Sequence, residues 1–162
     1  MFTHILVPLD GSPFAEQVLP HVEALARQFG ARVTLLQSIT EDAGFAEASA
    51  AQAATFAPAG ATIPLAVEED EQRTAVSYLR ALQRRLGGDG LTVDYREVEG
   101  AAAEAIIDQA RATGTDLIAM TTHGRSGLSR LYYGSVAEAV LRQAPCPVLL
   151  VRMHEGVGRP RE

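Results

Sequence analysis

Five short apolar runs recur along this chain, and a stretch with helical periodicity separates each run from the next. The first run, residues 4–9, is apolar without alternation, which is typical of a strand buried on both faces of a parallel sheet. Parallel neighbours need a crossover, usually a helix, and the crossover is right-handed. The pattern therefore predicts one α/β domain, an open parallel sheet with helices on both faces. The predicted strands cover residues 4–9, 32–37, 91–98, 117–120 and 148–151.

Four predicted helices connect these strands. The first is expected to have Ser12 as its N-cap and Pro13 in its first position, where the missing N–H of proline costs nothing. Pro20 lies inside the apolar stripe of this helix, at a place where proline can kink it. Residues 40–66 interrupt the alternation of apolar runs and helical stretches. Two interpretations of this segment stay open: a helix over 46–56, or a mobile excursion. The other helices are predicted over residues 68–86, 100–113 and 135–143.

The charge and the residue types exclude several classes of function. Twenty acidic residues against fourteen basic ones give a formal net charge of −6, which argues against a general binder of nucleic acid or anionic membranes. All fourteen basic residues are arginine, so a Schiff-base lysine and a Walker-type phosphate loop are excluded. Cys146 is the single cysteine, which excludes an intramolecular disulfide. No run approaches the about 18 apolar residues of a membrane span, and no signal sequence is evident, so the cytoplasm is expected.

The carboxyl ends of the first and fourth strands carry unusual sequence. In an open doubly wound sheet, ligands bind beyond the carboxyl ends of the strands, where the strand order reverses. Asp10-Gly-Ser follows the first strand, and a glycine- and serine-rich loop, residues 121–134, follows the fourth. Gly134-Ser135 stands at a predicted helix N-terminus, where free N–H groups and the helix dipole favour a phosphate. Ordinary roles remain open: an Asx turn for Asp10, turn geometry for the glycines and a helix cap for Ser135.

At these positions the chain resembles the universal stress proteins. Their pattern after the fourth strand is Gly-x2-Gly-x9-Gly-Ser/Thr, and its second part is matched by Gly124, nine intervening residues and Gly134-Ser135. The opening run and the Pro-Cys-Pro run before the last strand are also typical of the family, so the resemblance spans nearly the whole chain. It implies a Rossmann-like sheet in the order 3-2-1-4-5, of the adenine nucleotide alpha hydrolase-like fold. It also implies a homodimer and, in the nucleotide-binding members, an ATP between the ends of strands one and four.

The resemblance further implies which residues form the ATP site. Pro8 and Asp10 would border the adenosine, and residues 124–127 and 134–136 would meet the phosphates. Two positions depart from the family pattern. Thr121 replaces the first motif glycine and would crowd the nucleoside, while Ser38 replaces an aliphatic residue that packs on adenine. The expected nucleotide contacts are Pro8, Asp10, Ser38, Met120, Thr121, Gly124, Arg125, Gly127, Gly134, Ser135 and Val136.

Three functions are compatible with these residues. The leading hypothesis is an ATP-binding stress-response sensor or regulator, in which ATP with Mg²⁺ or Mn²⁺ orders the loops and alters the surface shown to partners. The alternative is a dimeric interaction module without ATP, which Thr121 keeps open. Slow ATP hydrolysis is disfavoured because no acidic cluster or activated nucleophile is evident, and no catalytic residue or protein metal ligand is assigned.

The last strand and the chain end complete the expectations. Residues 147–152 are apolar and lie at a sheet edge in the expected strand order, and an exposed apolar edge invites pairing. The homodimer is therefore expected to form through this strand, with two-fold symmetry. Residues 1–154 are expected to form the domain, and residues 155–162 a flexible tail.

Overall fold

The computed structural model describes residues 1–39, 67–88, 90–122 and 134–152, with only the backbone described over 67–74. The expectations for residues 40–66 and for the tail, 155–162, lie outside the described residues. The elements alternate as the apolar runs predict. They are β1 (His4–Pro8), a 3₁₀ helix (Ala15–Val18), α1 (Leu19–Phe29), β2 (Arg32–Ile39), α2 (Val67–Gly87), β3 (Val93–Glu99), α3 (Ala102–Thr113), β4 (Leu117–Thr122), α4 (Ser135–Gln143) and β5 (Val148–Arg152).

The five strands form one sheet in the order β3-β2-β1-β4-β5, and every neighbouring pair is parallel. The predicted fold class and strand order are therefore confirmed. β1 lies at the centre, where Ile5 is in register with Val33 of β2 on one side and with Leu117 of β4 on the other. The direction of chain progress reverses between β1 and β4, so their carboxyl ends flank the switch point of the sheet.

Two apolar layers cover the two faces of the sheet. Ile5 and Val7 of β1 face a cluster built by α1 and α2, which contribute residues such as Val22 and Leu79. Leu6, between them in β1, faces a second cluster with α3 and α4. Successive side chains of a strand point to opposite faces, and both faces are covered here. This double burial is why the sequence of β1 shows no alternation.

The start of the first helix differs from the prediction. The chain turns at Ser12 and Pro13, forms the 3₁₀ helix, and becomes α-helical only at Leu19. Ser12 still caps this start, since its hydroxyl accepts a hydrogen bond from the N–H of Ala15 at 3.2 Å. Pro20 falls in the first turn of α1 rather than in its interior. Because proline has no N–H to donate to the preceding turn, the α-helix begins at the place where that donor is not needed.

Candidate functional site

The candidate site lies at the carboxyl edge of the sheet, between β1 and β4. These two strands are hydrogen-bonded neighbours, with Leu6 in register with Ile118. Their following loops therefore leave the sheet side by side at the switch point. From this pairing we expect the Asp10 loop and the loop after the fourth strand to begin on opposite sides of one crevice.

Asp10 closes a tight turn at the end of β1. Its Oδ1 accepts hydrogen bonds from the N–H of Ser12 at 2.9 Å and from the hydroxyl of Ser12 at 2.6 Å. Gly11, between them, has φ 78°. This is the Asx turn that Asp10 could form without any ligand. The turn uses one carboxylate oxygen, and the other, Oδ2, has no hydrogen bond within the described parts of the chain, so the side chain is also open to a ligand.

Met120 and Thr121 occupy the end of β4 with opposite orientations. Met120 is buried in the cluster with α3 and α4. Thr121 is half-buried, and the alternation along the strand directs it to the other face, the side of the 3₁₀ helix and α1. Met120 and Thr121 therefore border the end of β4 on opposite faces of the sheet.

Ser38 lies one strand further away. It is half-buried in β2, where it is in register with Val98 of β3. Two residues before it, Leu36 is buried in the cluster with α3 and α4, and the period of two places Ser38 on this same face. Ser38 therefore shares a face with Met120 but is separated from β4 by β1.

Gly134 opens α4 with a backbone that favours glycine. Its φ of 88° and ψ of 145° fall near a region that is populated almost only by glycine. The carbonyl of Gly134 accepts the helical bond from Glu138 at 2.9 Å, so the N–H groups of residues 135–137 precede the first helical donor. Ser135 is exposed, and Val136 packs against the second cluster. Free N–H groups at the positive end of a helix dipole form an anion site.

Not every expected contact can be placed. Pro8 ends β1, in register with Leu36, and the structure thus brings Pro8, Asp10, Met120, Thr121 and Gly134–Val136 to one edge of the sheet. Gly124, Arg125 and Gly127, which were expected at the phosphates, lie outside the described residues. Among the described residues, no group of three or more His, Cys, Asp or Glu side chains could hold a metal ion.

Two buried polar groups behind the Asp10 loop were not predicted. Gln37 of β2 has a buried Oε1 without a hydrogen-bond partner, and its Nε2 lies 3.6 Å from where a Cβ on Gly11 would stand. Tyr78 of α2 has a hydroxyl that is buried beside Glu16, and burial together with that carboxylate raises the pKa of Tyr78. Arg85 in turn pairs with Glu16 at 3.0 Å. The only sequence signal for this cluster was a tyrosine between the apolar positions of α2, which is a common occurrence in any helix.

The fold and this edge define the class of the protein. It is a doubly wound, Rossmann-like α/β protein with a crevice at the switch point of its sheet and a glycine-capped helix beside it. The chain belongs to the universal stress protein family, whose family model matches residues 1–152. No helix within the described ranges is long and apolar enough to cross a membrane.

Individual relatives agree with the family. The chain is 29% identical over 154 residues to universal stress protein MJ0531 of Methanocaldococcus jannaschii, covering 94% of this chain and 83% of that one. The solved structure of MJ0577, a universal stress protein of the same organism, matches with a TM-score of 0.74 at 28% identity, over 96% of this chain and 99% of that chain. A universal stress protein solved in complex with cAMP shares the fold, with a TM-score of 0.63 at 20% identity over 93% and 97% of the two chains.

Proposed function

We propose that this chain binds ATP between the carboxyl ends of β1 and β4 and acts as a nucleotide-dependent regulator in the cytoplasm. The observation that carries the proposal is the start of α4. There Gly134 adopts a conformation that favours glycine, and the following N–H groups face the edge of the sheet without helical partners. Backbone donors of this kind bind phosphate. A negatively charged ligand can therefore gain hydrogen bonds here although the protein as a whole is acidic.

The nucleoside end of the proposed site uses the other side of the crevice. Asp10 keeps one carboxylate oxygen available for a ribose hydroxyl, and Met120 and Ser38 lie on one face as candidates to border adenine. The cAMP complex supports this assignment at the level of the fold, because cAMP carries the same adenine and ribose. Mg²⁺ or Mn²⁺ would be bound by the phosphates themselves in this proposal.

Thr121 favours the second candidate function, a dimeric interaction module that binds no ATP. Its half-buried side chain stands at the end of β4, where the family pattern has a glycine. A branched side chain at this point reduces the space beside the ribose position. The two candidates differ in one measurable property, the affinity of the native chain for ATP.

Two measurements test the proposal. Mass spectrometry of the denatured protein after gentle purification identifies any nucleotide that was retained. Calorimetry then compares ATP binding to the native chain, to Gly134→Val and to the control Gly30→Val. Gly30 follows α1 with a positive φ of 67°, so the control also places valine at a backbone conformation that strains it, but away from the proposed site. We expect binding to the native chain and to Gly30→Val but not to Gly134→Val. Failure of both the native chain and Thr121→Gly to bind at millimolar ATP would overturn the proposal and place this chain among the family members that bind no ATP.

A further inference from the structure

A groove runs between α2 and the edge strand β3, away from the nucleotide crevice. It has a volume of about 710 Å³, within the range of small-molecule sites, and is lined by Val76, Arg80, Gln83, Arg84, Tyr95 and Glu97. β2 and β1 separate β3 from β4, so this groove shares no residue with the proposed ATP site. It is a second place on the molecule at which a ligand could be enclosed on two sides.

One wall of the groove holds an oriented cation. The Nε of Arg80 donates a hydrogen bond to the hydroxyl of Tyr95 at 2.7 Å. This bond connects α2 to the edge strand and leaves both terminal nitrogens of the guanidinium without a partner among the described residues. A guanidinium that is already oriented loses less conformational freedom when it binds a ligand. Tyr95 therefore orients the Arg80 side chain and leaves the two terminal nitrogens of the guanidinium available to a ligand.

Arg84 follows Arg80 by one helical turn and is exposed. Residues spaced by four on a helix have their Cβ atoms roughly 5–6 Å apart, so the two guanidinium groups can reach one anion. Within the described parts of the chain, Arg84 makes no side-chain hydrogen bond and no ion pair. A single guanidinium can bind a phosphate with two parallel hydrogen bonds, which gives both strength and orientation.

The other wall of the groove offers an acceptor. Glu97 of β3 is half-buried, lines the same groove, and has no hydrogen-bond or ion-pair partner among the described residues. It therefore does not neutralise Arg84 directly. Gln83, between the two arginines, is occupied, since its Nε2 donates to the carbonyl of Val93 at 2.7 Å and fixes α2 against the strand. The groove presents two cationic donors and one carboxylate on a rigid frame.

We propose that this groove binds a small phosphate monoester that carries hydroxyl groups, such as a sugar phosphate. Arg80 and Arg84 hold the phosphate, and the Glu97 carboxylate accepts a hydrogen bond from a hydroxyl group. A dianion without donors gains nothing from Glu97, and a neutral sugar gains nothing from the arginines. The site selects for molecules with both groups, and it does so whether or not ATP binds at β1 and β4.

An NMR titration of the ¹⁵N-labelled full chain tests this site with three probes: inorganic phosphate, ribose 5-phosphate and ribose. We expect saturable shifts of the Arg80 and Arg84 Nε–H signals with both phosphates and none with ribose. Ribose 5-phosphate should bind more tightly than phosphate. The signals of Gly134 and Ser135 report separately on any phosphate that enters the nucleotide crevice.

Three variants assign the parts of the site. Arg84→Gln should weaken both phosphate probes by roughly tenfold or more, because it removes a charge-assisted pair. Glu97→Ala should bind inorganic phosphate at least as tightly as the native chain, because it removes a negative charge from the groove, and should abolish the advantage of ribose 5-phosphate, because it removes the acceptor. Arg111→Gln, at an exposed arginine of α3 on the other face, is the control and should bind all probes as the native chain does. The proposal is overturned if Arg84→Gln binds like the native chain, or if the Arg80 and Arg84 signals move no more than that of Arg111.

Discussion

Asp116 accepts two hydrogen bonds from Thr3, one from the backbone N–H at 2.8 Å and one from Oγ1 at 2.6 Å. The same carboxylate accepts a third bond, from the N–H of His4 at 3.1 Å, and the N–H of Asp116 donates to the carbonyl of His4 at 3.1 Å. One side chain at the start of β4 thus holds the start of β1. This attachment sets the alignment of the two strands whose opposite ends form the candidate site.

Asp116→Asn should lower the free energy of unfolding by at least about 1 kcal/mol at neutral pH, because asparagine has one acceptor oxygen where Asp116 uses two, so at least one of the three bonds is lost. Burial alone raises the pKa of the Asp116 carboxyl, but the bonds from Thr3 and His4 outweigh burial and hold that pKa below its ordinary value of 3.8. Because the carboxyl is more acidic in the folded protein, its ionised form stabilises the fold at pH values above its ordinary pKa of 3.8. This stabilisation is lost as the pH falls through the lowered pKa of the folded protein. Urea unfolding should therefore show the difference at pH 7 and not at low pH, with Asp108→Asn, at an exposed position, as the control.

We expect His4 to make the fold sensitive to mild acid. Its Nδ1 lies 3.2 Å from a terminal nitrogen of Arg32, which can only donate, and 3.4 Å from the carbonyl of Thr113, which can only accept, while its Nε2 lies 2.8 Å from Thr34 Oγ1. Burial, and next the charge of Arg32, lower the pKa of His4 below its ordinary value of 6.5. Neutral His4 is thus the form that the fold favours.

The native chain should lose stability as the pH falls below 6.5 toward the lowered pKa of His4, because the unfolded chain takes up the proton more readily. His4→Gln should remove this slope while lowering stability at neutral pH. His21→Gln, at an exposed histidine, should retain the slope. Urea unfolding at a series of pH values measures all three, and an equal slope in His4→Gln would contradict the assignment.

Thr121→Gly should bind ATP at least as tightly as the native chain. Removal of the branched side chain relieves a crowding penalty of ~1–3 kcal/mol, which corresponds to a gain of roughly tenfold to a hundredfold in affinity. Calorimetry with ATP and Mg²⁺ measures this gain. If only Thr121→Gly binds, the crevice is intact and the threonine is its block, whereas weaker binding by Thr121→Gly would mean that the side chain contacts the nucleotide.

β5 should form the dimer interface, because it is an edge strand with apolar residues on both faces. Leu149 packs against the apolar cluster on one face of the sheet, and Leu150 packs against the cluster on the other face. Leu149→Arg should give monomers or a loss of folding, whereas Leu141→Arg, at a leucine of α4 that is 41% exposed, should stay dimeric. Light scattering measures the masses and circular dichroism the folding. A monomeric native chain at micromolar concentration would refute this interface.

Tyr78→Phe should leave the free energy of unfolding unchanged or raise it by up to about 1 kcal/mol. The hydroxyl that it removes is buried beside Glu16 without a well-formed hydrogen bond, and such a group costs stability. Tyr95→Phe is the comparison, because it breaks the bond to Arg80 and should lower stability slightly. Thermal unfolding of both variants measures whether loss of each hydroxyl raises or lowers stability. A clear loss in Tyr78→Phe would show that Tyr78 does bond to Glu16.

The sheet could be predicted because its signal is local. A strand covered on both faces has to be apolar throughout, and the run from His4 to Pro8 shows this within five residues. The strand order came from the family resemblance, since periodicity does not say which strands are neighbours. The start of α1 was placed too early, because the sequence shows a cap and a proline but not how the 3₁₀ helix before Pro20 packs.

Some features of the candidate site could likewise be predicted from local sequence, and others could not. The Asp10 turn and the helix start at Gly134 could be predicted from the sequence itself, because aspartate readily forms an Asx turn and glycine accepts backbone angles that other residues rarely adopt. The burial of the Gln37 and Tyr78 polar groups, and the partners of Arg80 and Asp116, were decided only by the tertiary structure. Arg80 meets Tyr95 across 15 positions and Thr3 meets Asp116 across 113. Contacts of this kind depend on how each helix is rotated and shifted on the sheet, and that choice is made by the packing of the whole core rather than by any short segment of the chain.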